Sequence, residues 1–350
     1  MINQVGKYII GAGIVFGLMC VAGCTLNGQP RARLGSYATS TPGTNFLGPD
    51  NLGEHNYENA LSEGNGIVYT CRGGHIDIAH LRINADYTRY LYHLTCEKLW
   101  DDRTHFTFKL NVEPSVYTVT LKYPPRWYLV TLKEKQKLIP QVALELSQYL
   151  TFTMSTWHEI LTFYGYKCMA VLPEEPSAFS WEDIYSNLVG IRLGAKALQY
   201  SEDTYNQAMT KLLQEELVNL KIQSRDTAWY AAEKMRNKWF EGTVLIKMVQ
   251  RNMDIGLDDG FVTPVLVPDI CQGEKPVSYP VPKLDMFNRL GFSMILEVRP
   301  AEFEKNSILK IIYPSGGGST IRFPDDWPKI MDYTKAEAIK RGCKPLPDGK

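Results

Sequence analysis

Tyr69-Thr70-Cys71-Arg72-Gly73-Gly74-His75-Ile76-Asp77-Ile78-Ala79-His80-Leu81-Arg82-Ile83-Asn84-Ala85-Asp86 reads as strand, glycine turn and helix in direct succession. Gly66 to Tyr69 is a short β-branched run, Cys71 to Gly74 interrupts it, and a helical pattern then extends from about Ile76 to Trp100. On that helix Asp77, His80, Asn84 and Thr88 recur every three or four residues and share one face. Ile76, Ile78, Leu81, Ile83, Tyr90, Leu91 and Leu94 occupy most of the other positions, so the polar stripe is expected to point into the protein. A buried polar stripe demands partners. It is either a hydrogen-bonded ladder bracing a core or part of a site.

Working outward, His105 to Val112 and Val116 to Tyr123 alternate apolar and polar residues around a Glu-Pro-Ser break, and Trp127 to Leu132 gives a third such run. Together they predict an antiparallel meander. Pro140 is expected to open a second long helix, with Leu146, Leu150, Met154, Trp157, Leu161 and Tyr164 at helical spacing until Gly165. A Ser180-x-x-Asp183 capping box begins a third, and further helices fall near 204–221 and 226–240. Beyond Asn252 the chain is rich in Pro and Gly, with strand-like runs at 293–298 and 308–313, a Gly316-Gly317-Gly318 turn and a last helix near 328–341. No helix start follows the triple glycine closely, which makes it a plain loop rather than a phosphate cradle. The pattern predicts an α+β fold, a helical body packed on an antiparallel sheet, within one domain over 66–345 and a possible sub-boundary near 251.

The whole chain of 350 residues is 44% hydrophobic and 22% charged, as an ordinary globular protein is. Thirty-eight basic residues balance thirty-eight acidic ones with no run of like charge, so nothing steers it toward nucleic acid. At the N-terminus Lys7 precedes an uncharged, mostly apolar stretch from Tyr8 to Ala22, shorter than the roughly 20 residues a membrane span needs. Val21-Ala22-Gly23-Cys24 then resembles a bacterial lipobox. Residues 1–23 are expected to be a lipoprotein signal peptide, Cys24 the lipidated residue holding the chain to a membrane, and 24–65 a flexible tether rich in Gly, Pro, Ser, Thr and Asn. Thr25, where an Asp would signal retention, favours the outer membrane. Cys71, Cys96, Cys168, Cys271 and Cys343 remain, an odd number with no CxxC spacing, so at most two disulfides are expected and no structural zinc knuckle.

Three stretches supply groups for chemistry. His158-Glu159 begins a zincin-like H-E-x-x-H, but Thr162 stands where the second histidine belongs. His80 can replace that imidazole if the two helices face each other, and Glu182, 24 residues past His158, can supply a carboxylate. The expected set is therefore His80, His158 and Glu182 on a metal, zinc rather than magnesium because two imidazoles take part. Glu159 is then the general base, Asp77 and Asp183 orient the imidazoles, and Arg82 pairs with Asp86 or binds an anionic group of the substrate.

The strings Gly74-His75-Ile76-Asp77-Ile78-Ala79-His80-Leu81-Arg82 with Asp86, Trp157-His158-Glu159 with Tyr164-Gly165, and Ser180-Trp181-Glu182-Asp183-Ile184-Tyr185-Ser186-Asn187-Leu188-Val189-Gly190 resemble signature blocks of a bacterial envelope family known as domain of unknown function 4056. That family has no assigned reaction, so the resemblance implies an envelope location and this choice of residues. The expected function is a zinc-dependent hydrolase at the periplasmic face of the outer membrane. The first alternative is a non-catalytic envelope lipoprotein braced by a buried polar network. The second is a papain-like Cys/His hydrolase or acyltransferase with Cys71 at a helix start and His105 on the next strand, although no Gln or Asn is placed to orient the histidine.

Overall fold

Ile67–Thr70 (β1) and Gly74–Asp77 (β2) form an antiparallel hairpin in which Tyr69 faces His75. The structure is a computed structural model, and it describes residues 28–167, 175–243 and 245–344. Gly74 closes the hairpin turn at φ +63°, and a Cβ there would lie 2.2 Å from the carbonyl oxygen of Val265, so only glycine fits. Asp77 ends β2 and caps the next helix, α1 (Ile78–Trp100), its Oδ1 accepting the amide hydrogens of Ala79 at 2.7 Å and His80 at 3.3 Å.

Two helices clasp α1. α2 (Leu132–Phe163) starts eight residues earlier than expected, because Thr131 and Glu134 form a complete capping box. Pro140 therefore lies inside the helix, where it removes one backbone hydrogen bond but sits beside fully buried Ile139, Val142 and Ala143 that hold the helix on the core. α3 (Asp183–Ala197) crosses α1 at close range: a Cβ on Gly190 would meet the Leu81 carbonyl oxygen at 2.0 Å, and one on Gly194 the Ala85 oxygen at 2.6 Å. The polar stripe finds its partners in these two seams. Asn84 Nδ2 donates to Asn187 Oδ1 at 2.8 Å, and Thr88 Oγ1 to Thr151 Oγ1 at 3.3 Å. α4 (Tyr205–Asn219) and α5 (Arg225–Lys234) complete the helical body.

Beside that body lies a four-stranded sheet. β3 (His105–Leu110) and β4 (Glu113–Lys122) form its first hairpin, so the Glu-Pro-Ser segment belongs to a strand and does not break it. Two short pairs follow, β5 (Phe240–Glu241) with β6 (Lys247–Met248) and β7 (Phe261–Val262) with β8 (Tyr279–Pro280), then α6 (Asp285–Arg289). β9 (Ser293–Arg299) returns to pair with β4, placing Thr118 opposite Glu297, and α7 (Lys305–Ile312), β10 (Ile321–Phe323) and α8 (Trp327–Lys340) finish the chain. The sheet order is β10-β9-β4-β3, all antiparallel, and the architecture is α+β as the sequence predicts.

Two expectations are revised here. Trp127 to Leu132 is not the third strand, because the Trp127 indole is buried and bonded to Asp102 at 2.6 Å, which folds Trp127–Leu129 into a 3-10 turn. Residues 308–312 belong to α7 and Tyr313 ends it, and Ile308 and Ile311, three apart, are buried. Two links cross residue 251: β4 pairs with β9, and Cys71 is disulfide-bonded to Cys271.

Residues 28–65, read from composition as a tether, lie on the body. Ala38 and Thr39 are fully buried, Phe46 bridges to Ile67, and Arg31, Arg33, His55 and Glu63 are drawn inside by charges on α1. Their apolar content is low because they contribute ion pairs and backbone contacts instead. Cys24 lies outside the described residues, as does Cys168. Among the described residues no helix is long and apolar enough to cross a membrane.

Candidate functional site

The N-terminal ends of α1 and α3 meet the C-terminal half of α2 around His80. Its Nδ1 lies 3.1 Å from Asp183 Oδ1 and 3.7 Å from Asp77 Oδ2. Both carboxylates are fixed by backbone. Asp183 Oδ2 accepts the Ser180 amide at 2.8 Å and the Ser180 hydroxyl at 2.9 Å, which aims Oδ1 at the imidazole; the expected capping box is not formed, because α3 begins at Asp183 with Glu182 at its N-cap and no side-chain cap bond. Asp77 caps α1 with one oxygen, and with the other it accepts the Ser36 amide at 2.7 Å. The first turn of a helix favours such negative groups.

Glu159, 5% exposed, accepts the Phe179 amide at 2.9 Å and lies within electrostatic reach of Asp183, His80 and His158. His158, on the same turn of α2, hydrogen-bonds through Nδ1 to Glu113 Oε2 at 3.3 Å. The other oxygen of Glu113 accepts the buried Tyr117 hydroxyl. The two imidazoles keep an edge in water, their side chains 29% and 32% exposed, while Asp77, Asp183 and Glu113 are buried.

Crowding carboxylates around two imidazoles moves protons. Burial opposes charge on His80, but Asp77, Asp183 and Glu159 outweigh it and raise its pKa to about 10. Burial, then the Asp183 charge, pushes Glu159 up to about 7 against the pull of His80 and His158. Asp77 is raised by burial, with His80 opposing. His158 also rises, burial notwithstanding, through its Glu113 partner. The arrangement thus sets a charged imidazole beside a carboxyl group that exchanges its proton near neutrality, a pairing suited to general acid and base work.

Glu182 has a different environment. Its Oε1 accepts the Ala38 amide at 2.9 Å, and burial followed by the Asp183 charge raises its pKa well above the carboxylate range. Among the described residues no three His, Cys, Asp or Glu side chains are grouped so as to hold an ion, so His80, His158 and Glu182 are not assembled as a ligand set. The Nε2 edge of His80 is met by the backbone at Gly35, where a Cβ would come within 2.5 Å of that nitrogen.

A second polar cluster sits farther along α1. Arg82 is wholly buried and does not pair with Asp86 or reach an outside anion; it donates to the carbonyls of Leu52 at 2.8 Å and Gly64 at 2.9 Å. Asp86 is met instead by Arg33 at 2.7 Å and His55 Nε2 at 3.0 Å, and Glu63 by Arg31 and, at 2.8 Å, Arg33. Burial opposes ionisation of Glu63 and Asp86, yet the Arg33 partner overcomes it and holds both below their ordinary values. Residues 31, 33, 55 and 63 gave no sequence signal beyond being charged or aromatic in a loop. Glu113 was equally silent, one residue of the three-residue Glu-Pro-Ser break.

The thiol chemistry expected as an alternative does not hold: the Cys71 sulfur is bonded to Cys271, and His105 is exposed on β3 with Nδ1 3.4 Å from Thr120 Oγ1. Among the described residues Cys96 and Cys343 are the free thiols.

With fold and geometry in place, comparison assigns the family. The model of a family described as protein of unknown function (DUF4056) matches residues 41–256, more than half of the chain, and the chain belongs to that family. Asp77, His80, Glu113, His158, Glu159 and Asp183 lie inside the matched region, whereas Gly35, Ser36, Arg31 and Arg33 precede it. No curated protein and no solved structure matches the chain.

Proposed function

We propose that this protein is a hydrolase held at the periplasmic face of the outer membrane through a lipid on Cys24. Glu159 is the general base that takes a proton from the attacking water. His80, charged and steadied by Asp77 and Asp183, donates a hydrogen bond or proton where negative charge develops. One observation carries the reading: a partly open imidazole lies between two buried carboxylates, and the carboxyl group beside it titrates near pH 7. Catalytic groups need such displaced values, and a carboxyl group that titrates near neutrality beside an imidazole reaching water is a candidate acid–base pair.

The steps above use Glu159 and His80 alone. Zinc remains a proposal that rests on His80 and His158 turning toward a shared ion. The bracing-network reading is favoured by the contact of Gly35 with His80 Nε2, which closes that nitrogen to a substrate while the N-terminal segment is in place.

The test is turnover of chromogenic esters, phosphoesters and amides by the purified protein, with its metal content measured on the same sample. Turnover should fall by about 10²–10⁴-fold in Glu159→Gln and His80→Gln. Its pH profile should rise through about 7 as Glu159 loses its proton and fall toward about 10 as His80 loses its own. Turnover indifferent to both substitutions would remove the proposal, and stoichiometric zinc lost in His158→Ala would restore the metal-dependent form.

A further inference from the structure

The turn that displaced the expected third strand leaves an apolar tip standing in water. Tyr128 is 80% exposed, Leu129 62% and Leu132 74%, all within five residues of chain at the start of α2. Scattered apolar residues on a surface are ordinary, but three adjacent ones on a rigid support are not. The support is Trp127, buried between Tyr123 and Phe292 with ring centroids 5.5 and 5.1 Å away, and bonded to Asp102. Lys135 lies over the same indole and pairs with Asp102 at 2.7 Å, tying the turn to the helix behind it.

Around the tip the free charge is positive. Arg126, Lys133 and Lys137 are exposed and make no ion pair among the described residues. The nearby acids are already engaged, Asp102 with Lys135 and Glu134 with the Thr131 cap. The positive end of the helix dipole of the 32-residue α2 emerges at the same place. Apolar and aromatic side chains ringed by Arg and Lys match the interface of an anionic bilayer: the rings and leucines enter the acyl boundary while the cations meet phosphate headgroups.

We propose that the Tyr128-Leu129-Leu132 tip, with Arg126, Lys133 and Lys137, is a membrane-docking surface for anionic phospholipid. It is a second point of attachment, set in the folded body, and it orients the domain on the bilayer. The surface stands whether or not the His80 cluster is catalytic.

The test uses the full chain carrying a photoreactive benzoylphenylalanine at position 129, or at position 303 as a control, because Phe303 is 99% exposed elsewhere. Each is irradiated with vesicles of phosphatidylethanolamine and phosphatidylglycerol. A phospholipid adduct is expected at 129 and not at 303. The adduct should fall about tenfold when Lys133→Glu and Lys137→Glu are combined, and similarly on neutral phosphatidylcholine vesicles. Equal adducts at both positions, no lipid adduct at 129, a cross-linked second copy instead of lipid, or yields unmoved by the charge reversal would each overturn the proposal. Circular dichroism of the double variant shows whether its fold is intact. If it is not, the neutral vesicles carry the charge arm alone.

Discussion

Two polar clusters hang from the same helix, one turn and a half apart, and they differ in the sign of what surrounds them. Around Asp86 and Glu63 the structure places three guanidinium groups, from Arg31, Arg33 and Arg82, against two carboxylates, with side chains at most 4% exposed. Around His80 it places Asp77, Asp183, Glu159 and Glu113 near two imidazoles that reach water. Excess arginine locks carboxylates in their ionised form. Excess carboxylate keeps protons on groups that ordinarily give them up. The first cluster stores charge and holds the N-terminal segment on the body, and the second stores protons at a solvent-facing edge.

The largest expected effect separates the two directly. Arg33→Met leaves Glu63 and Asp86 short of a buried counter-charge and should cost about 3–5 kcal/mol in denaturant unfolding. His80→Gln, at a position open to water, should cost less than half of that. The reverse ranking would end the distinction. Next comes Gly190→Ala, which drives a methyl group onto the Leu81 carbonyl and should cost roughly 1–3 kcal/mol by pushing α3 away from α1. It should also weaken the Asn84–Asn187 bond, readable as faster amide exchange there.

The smallest effect is a slope. The pKa of Glu159 is raised from 4.5 to about 7, so between those values the folded state keeps a proton the unfolded chain has lost, and stability falls as pH rises through that window. His80, raised from 6.5 to about 10, contributes fully below 6.5 and loses its contribution as pH climbs toward 10. Glu63 and Asp86 act oppositely: their contribution is present above their ordinary values of 4.5 and 3.8 and is lost as acid protonates them. Within the decline between about pH 5 and 7, the share due to Glu159 is at most about 1.4 kcal/mol per pH unit, read as the difference in slope between the wild type and Glu159→Gln. An unchanged slope would mean that Glu159 titrates normally.

Much of this was legible in local pattern. Apolar periodicity is a short-range signal and marks the central helix, whereas Gly74–Asp77, read as a turn and helix start, is the second strand of a hairpin because it pairs with Ile67–Thr70. What escaped depended on partners far away in sequence. β9 joins β4 from more than 170 residues on, Glu113 faces His158 across 45, and Arg33 meets Asp86 from a segment whose composition resembles a linker. Alternation at Trp127 to Leu132 misled because outward apolar residues there face solvent, where a strand would bury them against a sheet. Arg82 looked like an anion-binding group because sequence shows its charge and not the carbonyls that enclose it.

The bond between Cys71 and Cys271 also says something about time. Two hundred residues separate the sulfurs, so the first thiol is made long before its mate leaves the ribosome. Until then it stands as an unguarded nucleophile at a hairpin turn, exposed to capture by Cys96, which precedes Cys271 in the chain. Closure of that one link is consequently a late covalent record that the C-terminal third has arrived, and a non-reducing gel of newly synthesised chains would read it as a shift in mobility.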